Sequence, residues 1–236
     1  MNGVIFYSNT NQGKRIAEYF AKKTGWEQYD LNCPKQAQAL ATIQFERAVL
    51  IFPVYSQNIP IVVKTALKNL TSRYLTAIAT HGKMCHGRVL YELQKHYDRG
   101  ELIAAAYAPM KHSYLQEATE IPLTPLDGII QKTLSEKPTP IAVGKTYKNP
   151  FANFAKDLRS RMCVKMYINP SICAHCGKCE RDCLFSGIKS GKVTHRCIRC
   201  LKCVTNCPTG ALSYQNRAIL RLYLKKSPLT EWEIYL

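Results

Sequence analysis

Apolar and polar positions alternate along the first hundred residues in blocks of two different periods. Short β-branched or aromatic runs occur at Gly3–Tyr7, Trp26–Leu31, Ala48–Phe52, Tyr74–Thr80 and Leu102–Ala108. Their length and their Val, Ile, Tyr and Phe content predict strands. Between them, Lys14–Thr24, Lys35–Ile43, Ile61–Leu70 and Arg88–Asp98 repeat apolar residues at the spacing of one helix face. Strand and helix in alternation predict βαβ units, and so an α/β fold with a doubly wound, parallel, five-stranded sheet. Such sheets bind ligands beyond the carboxyl ends of their strands, which directs attention to the loops after the first, third and fourth strands.

The pattern changes after residue 108. Pro109, Pro122, Pro125, Pro138, Pro140 and Pro150 interrupt any long helix, leaving room for one around Gly128–Glu136. Phe151–Met162 carries apolar residues at 151, 154, 155, 158 and 162, the spacing of a connecting helix packed on one side. A boundary near 163 divides the chain into residues 1–163 and 164–236. The last segment, Arg217–Leu236, starts basic and apolar-periodic, breaks at Ser227-Pro228 and ends with Trp232 and Tyr235. A membrane-surface helix would share that opening pattern, but the break and the closing aromatics favour packing on the protein's own body.

Cysteine usage gives the second half its chemistry. Of eleven cysteines, Cys33, Cys85 and Cys163 are isolated and the other eight lie between Cys173 and Cys207. They form Cys173-Ala-His-Cys176-Gly-Lys-Cys179-Glu-Arg-Asp-Cys183 and Cys197-Ile-Arg-Cys200-Leu-Lys-Cys203-Val-Thr-Asn-Cys207-Pro208. Both read C-x2-C-x2-C-x3-C, a spacing that wraps three thiolates around one iron–sulfur cube and sends the fourth to another. The expected ligand sets are crossed: Cys173, Cys176, Cys179 and Cys207 for one [4Fe-4S] cluster, and Cys197, Cys200, Cys203 and Cys183 for the other. Structural zinc usually draws on two separated pairs of ligands, which this repeat does not resemble. His175, between two of the ligands, either tunes a cluster through a hydrogen bond or is an exposed spacer.

Composition and charge narrow the setting. Apolar residues make up 46% and charged residues 21%, the proportions of a globular chain. Thirty-three Lys and Arg against sixteen Asp and Glu give a net charge of +17 and a pI near 9.5, which predicts attraction to something acidic. No signal-peptide pattern opens the chain, and no apolar run approaches the ~18 residues of a membrane span. A cytoplasmic protein is expected, and in a reducing compartment clustered cysteines bind metal or do chemistry. The basic residues are not interleaved with the aromatics of a stacking platform and form no recognised motif, so no nucleic-acid partner is expected.

The first strand, Val4-Ile5-Phe6-Tyr7, runs into Ser8-Asn9-Thr10-Asn11-Gln12-Gly13 and then into the helix beginning Lys14-Arg15. A polar loop here gathers unpaired backbone N–H groups at a positive helix end and suits a phosphate, although the same residue types also serve as ordinary helix caps. The segment resembles the flavodoxin phosphate loop, S/T-x-T-G-x-T, with Ser8 and Thr10 in register. Asn11 replaces its glycine and Gly13 its final hydroxyl residue, so a hydroxyl ligand is missing and Lys14 or Arg15 is the compensating charge. The loops Phe52-Pro53-Val54-Tyr55-Ser56 and Thr80-His81-Gly82 follow the third and fourth strands.

Met166 to Tyr214 resembles a bacterial two-cluster ferredoxin, including its Cys207-Pro208-Thr209-Gly210-Ala211-Leu212 ending, with Leu184 where that family usually has proline. Over about residues 1–214 the chain resembles the flavodoxin-ferredoxin fusions of anaerobic bacteria and archaea. That resemblance implies a flavodoxin-like domain binding FMN, followed by an α+β ferredoxin domain with two [4Fe-4S] clusters. It implies cofactor contacts from Ser8 to Gly13, from Pro53, Val54, Tyr55 and Ser56, and from Thr80, His81 and Gly82, with Tyr55 at the ring and the backbone of 80–82 along its pyrimidine side. Met110-Lys111-His112-Ser113-Tyr114 opens on the same edge. His81, His86 and His112 are candidate proton donors, Lys111 a candidate contact for an anionic substrate and Cys85 a candidate thiol, against the simpler reading of each as an ordinary loop residue.

The implied activity is an oxidoreductase in which electrons pass between an external low-potential carrier, two clusters and FMN, which reduces a small-molecule acceptor. The alternative is an electron-transfer protein with no substrate of its own. The basic charge then fits an acidic redox partner of ferredoxin or flavodoxin type.

Overall fold

Alternate residues of the first strand face opposite ways, with Ile5 and Tyr7 entering one core and Val4 and Phe6 another. The third strand repeats the division, with Ala48, Leu50 and Phe52 on one face and Val49 and Ile51 on the other. A sheet buried on both faces needs apolar residues in continuous runs, which is why these strands stand out in the sequence. The computed structural model describes residues 1–115, 120–153, 156–224 and 229–236. They divide into a first unit, Met1–Ala152 with Leu229–Leu236, and a second unit, Asn153–Pro228.

In the first unit the order is β1 (Asn2–Phe6), α1 (Gln12–Thr24), β2 (Glu27–Asp30), α2 (Pro34–Ala39), β3 (Gln44–Pro53), α3 (Ile61–Asn69), β4 (Thr71–His81), α4 (Val89–His96), β5 (Glu101–Pro109) and α5 (Asp127–Leu134). The parallel strands run β2-β1-β3-β4-β5 across the sheet, the flavodoxin-like order with its switch point between β1 and β3. Ile16, Ala17 and Phe20 of α1 and Ile129 and Ile130 of α5 line one core, and Val63 of α3 and Leu90 and Leu93 of α4 line the other. The helices thus cover both faces.

Two expected helices are shorter than their apolar pattern. In α2 the turn closes at Thr42, whose hydroxyl bonds the Ala39 carbonyl and competes with the helical ladder. At the end of α4, Tyr97 turns extended because its hydroxyl meets the backbone N–H and the hydroxyl of Ser72, at 3.1 and 2.8 Å.

The second unit contains α6 (Lys156–Cys163), β6 (Val164–Ile168), α7 (Lys178–Arg181), β7 (Ile188–Lys189), β8 (Lys192–Val193), α8 (Lys202–Thr205), β9 (Leu212–Asn216) and α9 (Ala218–Leu224). β6 pairs antiparallel with β9, and β7 with β8, around a turn with Ser190 and Gly191 both at positive φ, the hairpin type that matches strand twist. This gives the small α+β unit expected of a ferredoxin-type segment. Of the amphipathic positions expected at 151–162, Phe154 and Ala155 lie outside the described residues, as do Lys225, Lys226 and the Ser227-Pro228 break. Among the described residues no helix is long and apolar enough to cross a membrane.

The domain limits differ from a division at 163. α6 belongs to the second unit, and the chain returns to the first unit for its last eight residues. There β10 (Glu233–Tyr235) pairs antiparallel with β5, matching Glu233 with Tyr107 and Tyr235 with Ala105. Trp232 packs on one core and Tyr235 on the other. The tail thus covers the edge of β5, whose unpaired backbone groups would otherwise offer a template to another chain. Truncation after residue 228 is expected to remove about 2–3 kcal/mol from the first unit, given the partial burial of two aromatic side chains. It should lower the urea midpoint followed by tryptophan-independent far-UV circular dichroism.

Candidate functional site

The phosphate-type loop leads from the end of β1 into α1. Asn11 stands at the helix N-cap with φ +62°, its side chain caps nothing, and the first turn holds no acidic residue. The first N–H groups of a 13-residue helix therefore lack an anionic or side-chain partner. Gly13 is packed so closely that an added Cβ would stand 3.3 Å from Ser8 Cβ and 3.4 Å from the Tyr7 carbonyl, so glycine here lets the helix meet the strand end. Lys14 pairs with Glu18 at 3.6 Å. Arg15 Nη2 pairs with Glu120 at 2.8 Å, while its Nη1 is a buried donor without a hydrogen-bond partner. An uncapped helix start beside a buried guanidinium donor fits an anionic group.

Asn9 is committed elsewhere. It is buried, and its amide donates to Tyr7 Oη at 2.9 Å and Tyr55 Oη at 2.8 Å. This ties the loop after β1 to the loop after β3. The Tyr55 and Tyr7 rings sit 6.3 Å apart, edge to face. Tyr55 and Asn58 exchange both backbone hydrogen bonds at 3.0 Å around Ser56 and Gln57, both at positive φ. That turn type normally asks for Asn or Gly, and an extended segment holds it in place. Asn149 N–H donates to Gln57 Oε1 at 2.8 Å, and Lys148 Nζ donates to Asn58 Oδ1 at 2.9 Å. Lys148 also pairs with Glu92 at 2.8 Å. Burial raises the Glu92 carboxyl, but Lys148 and Arg88 outweigh it and hold it below its usual value.

The loop after β4 gathers the histidines. The Thr80 carbonyl accepts from Val54 N–H at 2.7 Å and the His81 carbonyl from Met110 N–H at 2.8 Å, so sheet pairing already engages two of the backbone groups expected along a flavin. His81 is 5% exposed; burial and the nearby His86 lower its pKa to about 4 against a bond to the Met84 backbone, so it is neutral at physiological pH. An added Cβ on Gly82 would lie 2.5 Å from His112 Cδ2, which shows how closely His112 closes over the loop. Lys111 lies 3.9 Å from Glu120, and Met110 is buried in a core.

The cysteine loops share one backbone device. His175 and Gly177 in the first motif and Arg199 and Leu201 in the second all have positive φ, at equivalent places between the first three cysteines. Left-handed residues between right-handed ones turn successive N–H groups inward and create the concavity that binds anions and iron–sulfur clusters. Leu201 accepts this conformation despite its Cβ, with its side chain buried. All eleven cysteines are free of disulfides.

Cys183 lies near the thiols of the second motif. Burial and then Cys197 and Cys183 raise Cys200 to about 11, and burial followed by Cys200, Cys197 and Cys183 raises Cys203 to about 12. Cys183 Sγ accepts from Gly187 N–H at 3.1 Å, and an added Cβ on Gly187 would touch both Cys197 and Cys183 Sγ. For Cys207 burial acts upward, but the Leu212, Thr209 and Ala211 backbone and the Thr209 hydroxyl bring it down to about 7. Among the described residues no three His, Cys, Asp or Glu side chains are grouped to hold a single metal ion; a cube differs in binding each thiolate at a separate iron.

Two residues without any sequence signal complete the region. Lys148 lies in a proline-rich connection, and Glu233 lies near the end of the chain; only the fold brings them to these loops.

Residues 192–213 match the family model described as a 4Fe-4S binding domain. No curated protein matches the chain. A flavoprotein in complex with FMN from Lactobacillus acidophilus NCFM is 16% identical, covers 46% of this chain and 91% of its own, and has a TM-score of 0.35. Trp repressor binding protein from Bacillus subtilis is 10% identical, covers 58% of this chain and 99% of its own, and has a TM-score of 0.36. The strand order and the cysteine repeat define the class: a flavodoxin-like α/β unit followed by a ferredoxin-type 4Fe-4S segment. Asn9→Leu deletes the bond to Tyr55 that joins the loops and the local bond to Tyr7, so a loss of about 1–3 kcal/mol is expected by urea titration, together with weaker FMN retention on gel filtration.

Proposed function

We propose that the protein is an FMN- and iron–sulfur-dependent oxidoreductase, with FMN at the carboxyl edge of the first unit and two [4Fe-4S] clusters in the second. The observation that carries this reading is the pairing in one chain of an uncapped helix start at the sheet's switch point with two cysteine loops wound by the same left-handed positions. When bound, FMN takes up electrons singly and releases them as a pair, whereas each cluster carries one at a time.

The residues have separable tasks in this reading. The N–H groups opening α1, with Arg15, hold the phosphate. Asn9 fixes Tyr55 against the loop, and Lys148 fixes the turn that carries Tyr55. Cys173, Cys176, Cys179 and Cys207 hold one cluster and Cys197, Cys200, Cys203 and Cys183 the other; the proximity of Cys183 to the second motif supports the crossing. Hydrogen bonds to Cys207 favour its thiolate and bias the potential of the cluster it binds. With Cys200 and Cys203 protonated at neutral pH in the absence of iron, loading the second cluster releases protons. Among the candidate histidines, His81 is kept neutral by burial and holds no imidazolium proton to give at physiological pH.

Anaerobic purification followed by iron and flavin analysis is expected to give about eight irons and one flavin per chain, the content of two cubes and one FMN site. Four irons would remove a cluster from the reading, and tightly bound zinc would remove both. A shuttle without a substrate is the second reading, favoured by the charge of the second unit. Photoreduced protein that small acceptors reoxidise no faster than free FMN would select it.

The partner in either reading is an acidic one-electron carrier. Residues 153–228 contain 15 Lys and Arg against three Asp and Glu, an excess of 12 of the chain's 17 positive charges, and eight thiolates on two clusters offset only part of it. Electrostatic attraction of this kind acts on the encounter rate. The rate of reduction by an acidic ferredoxin is expected to fall at least tenfold between low and 0.5 M salt as the Debye length shrinks; a flat salt profile would remove this partner class.

A further inference from the structure

The returning tail brings a carboxylate to the histidines of the carboxyl edge. Glu233 of β10 has Oε2 3.3 Å from His86 Nε2. His86 Nδ1 lies 2.9 Å from the Gly87 carbonyl. A carbonyl can only accept, so Nδ1 carries the hydrogen and Nε2, facing Glu233, is the nitrogen that gains or loses a proton. The His86 ring stacks on Tyr107 at 3.7 Å between centroids. On its other side the His81 ring stands edge-on at 5.3 Å, with a buried Nδ1 that has no hydrogen-bond partner.

Of the described side chains that touch His86 here, Tyr107, His81 and Glu233, Glu233 carries the charge. Burial pushes Tyr107 up to about 12, and burial with Glu233 raises Tyr235, which donates to Glu233. Both phenols are neutral at physiological pH, as is His81. Glu92 on α4 acts on Tyr107 but is itself held by Lys148 and Arg88. The Glu233 carboxylate therefore faces a largely buried imidazole, 13% exposed. Packing alone would need only the ring stack and the Gly87 bond; the carboxylate comes from a strand the chain reaches only after completing the second unit.

We propose that His86 and Glu233 form the redox-linked proton acceptor of the carboxyl-edge site. This rests on the FMN reading. With FMN bound, two electrons supplied one at a time by reduced iron–sulfur centres would be balanced by two protons from solvent, one on the cofactor and one held at His86 Nε2, so the charge of the site would be unchanged. His86 and Glu233 are positioning residues, acting on the ring through neutral His81 and through their charge.

The test is spectroelectrochemistry of the full-length, FMN-loaded protein across pH 5–9. Uptake of two protons with two electrons makes the flavin midpoint potential fall with pH about twice as steeply as uptake of one, by proton linkage. Over the pH interval in which His86 is neutral in the oxidised and protonated in the reduced protein, the wild type is expected to show a steeper slope than His86→Gln. Glu233→Gln is expected to displace that interval, because the carboxylate faces Nε2. Equal slopes in wild type and His86→Gln overturn the proposal. If His86→Gln does not fold, the His86 ring resonances of the wild type decide it: they are expected to titrate at higher pH in dithionite-reduced than in oxidised protein, and an unchanged titration overturns it. A protein that neither carries nor takes up FMN overturns the flavin reading and this one with it, whereas bound FMN with a redox-insensitive His86 overturns this one alone.

Discussion

The rest of the first unit depends on β1 pairing with both β2 and β3. Because β1 lies between them, the connections to either side leave on opposite faces of the sheet, and the backbone opens where they diverge. α1 starts at that opening with its N–H groups unsatisfied by any cap, so the location and the polarity of the candidate site share one cause. The loops after β3 and β4 reach the same edge because their strands pair in parallel and in register, from Gln44 with Thr71 to Pro53 with Thr80. Asn9, bonded to Tyr55, joins the loop after β1 to the loop after β3, whose strands pair in parallel.

The second unit rests on a different constraint. Its packing core is small, and among the described residues its longest strands have five residues. Order in the cysteine loops comes from backbone conformations that are costly without a ligand, such as Leu201 at φ +62°. Loops of this kind gain most from cluster binding, which couples assembly to folding. The strand that closes the edge of the flavodoxin-like sheet follows this unit in the chain, so its placement comes after the cysteine loops in sequence and beside β5 in space.

The legible parts were those with local causes. Five strands and five helices of the first unit follow from apolar runs buried on both faces, and their positions agree with the sequence pattern to within a few residues. Where they do not, the cause is a distant partner: α4 stops at Tyr97 because that hydroxyl meets Ser72 on β4. The cysteine repeat is equally local, since its spacing reflects how one loop wraps a cube. The return of the chain to the first unit is not legible in the sequence, because a closing strand of three residues, Glu233–Tyr235, has too little pattern to announce pairing with β5.

The sequence by itself determined the α/β alternation, the iron–sulfur chemistry and the excess of positive charge, because periodicity, ligand spacing and composition are properties of neighbouring residues. Only the tertiary structure decided which histidine is buried and neutral, which amide ties the loops together, and which carboxylate stands beside His86. Those depend on desolvation and on contacts between residues as distant as His86 and Glu233, and no local pattern encodes either.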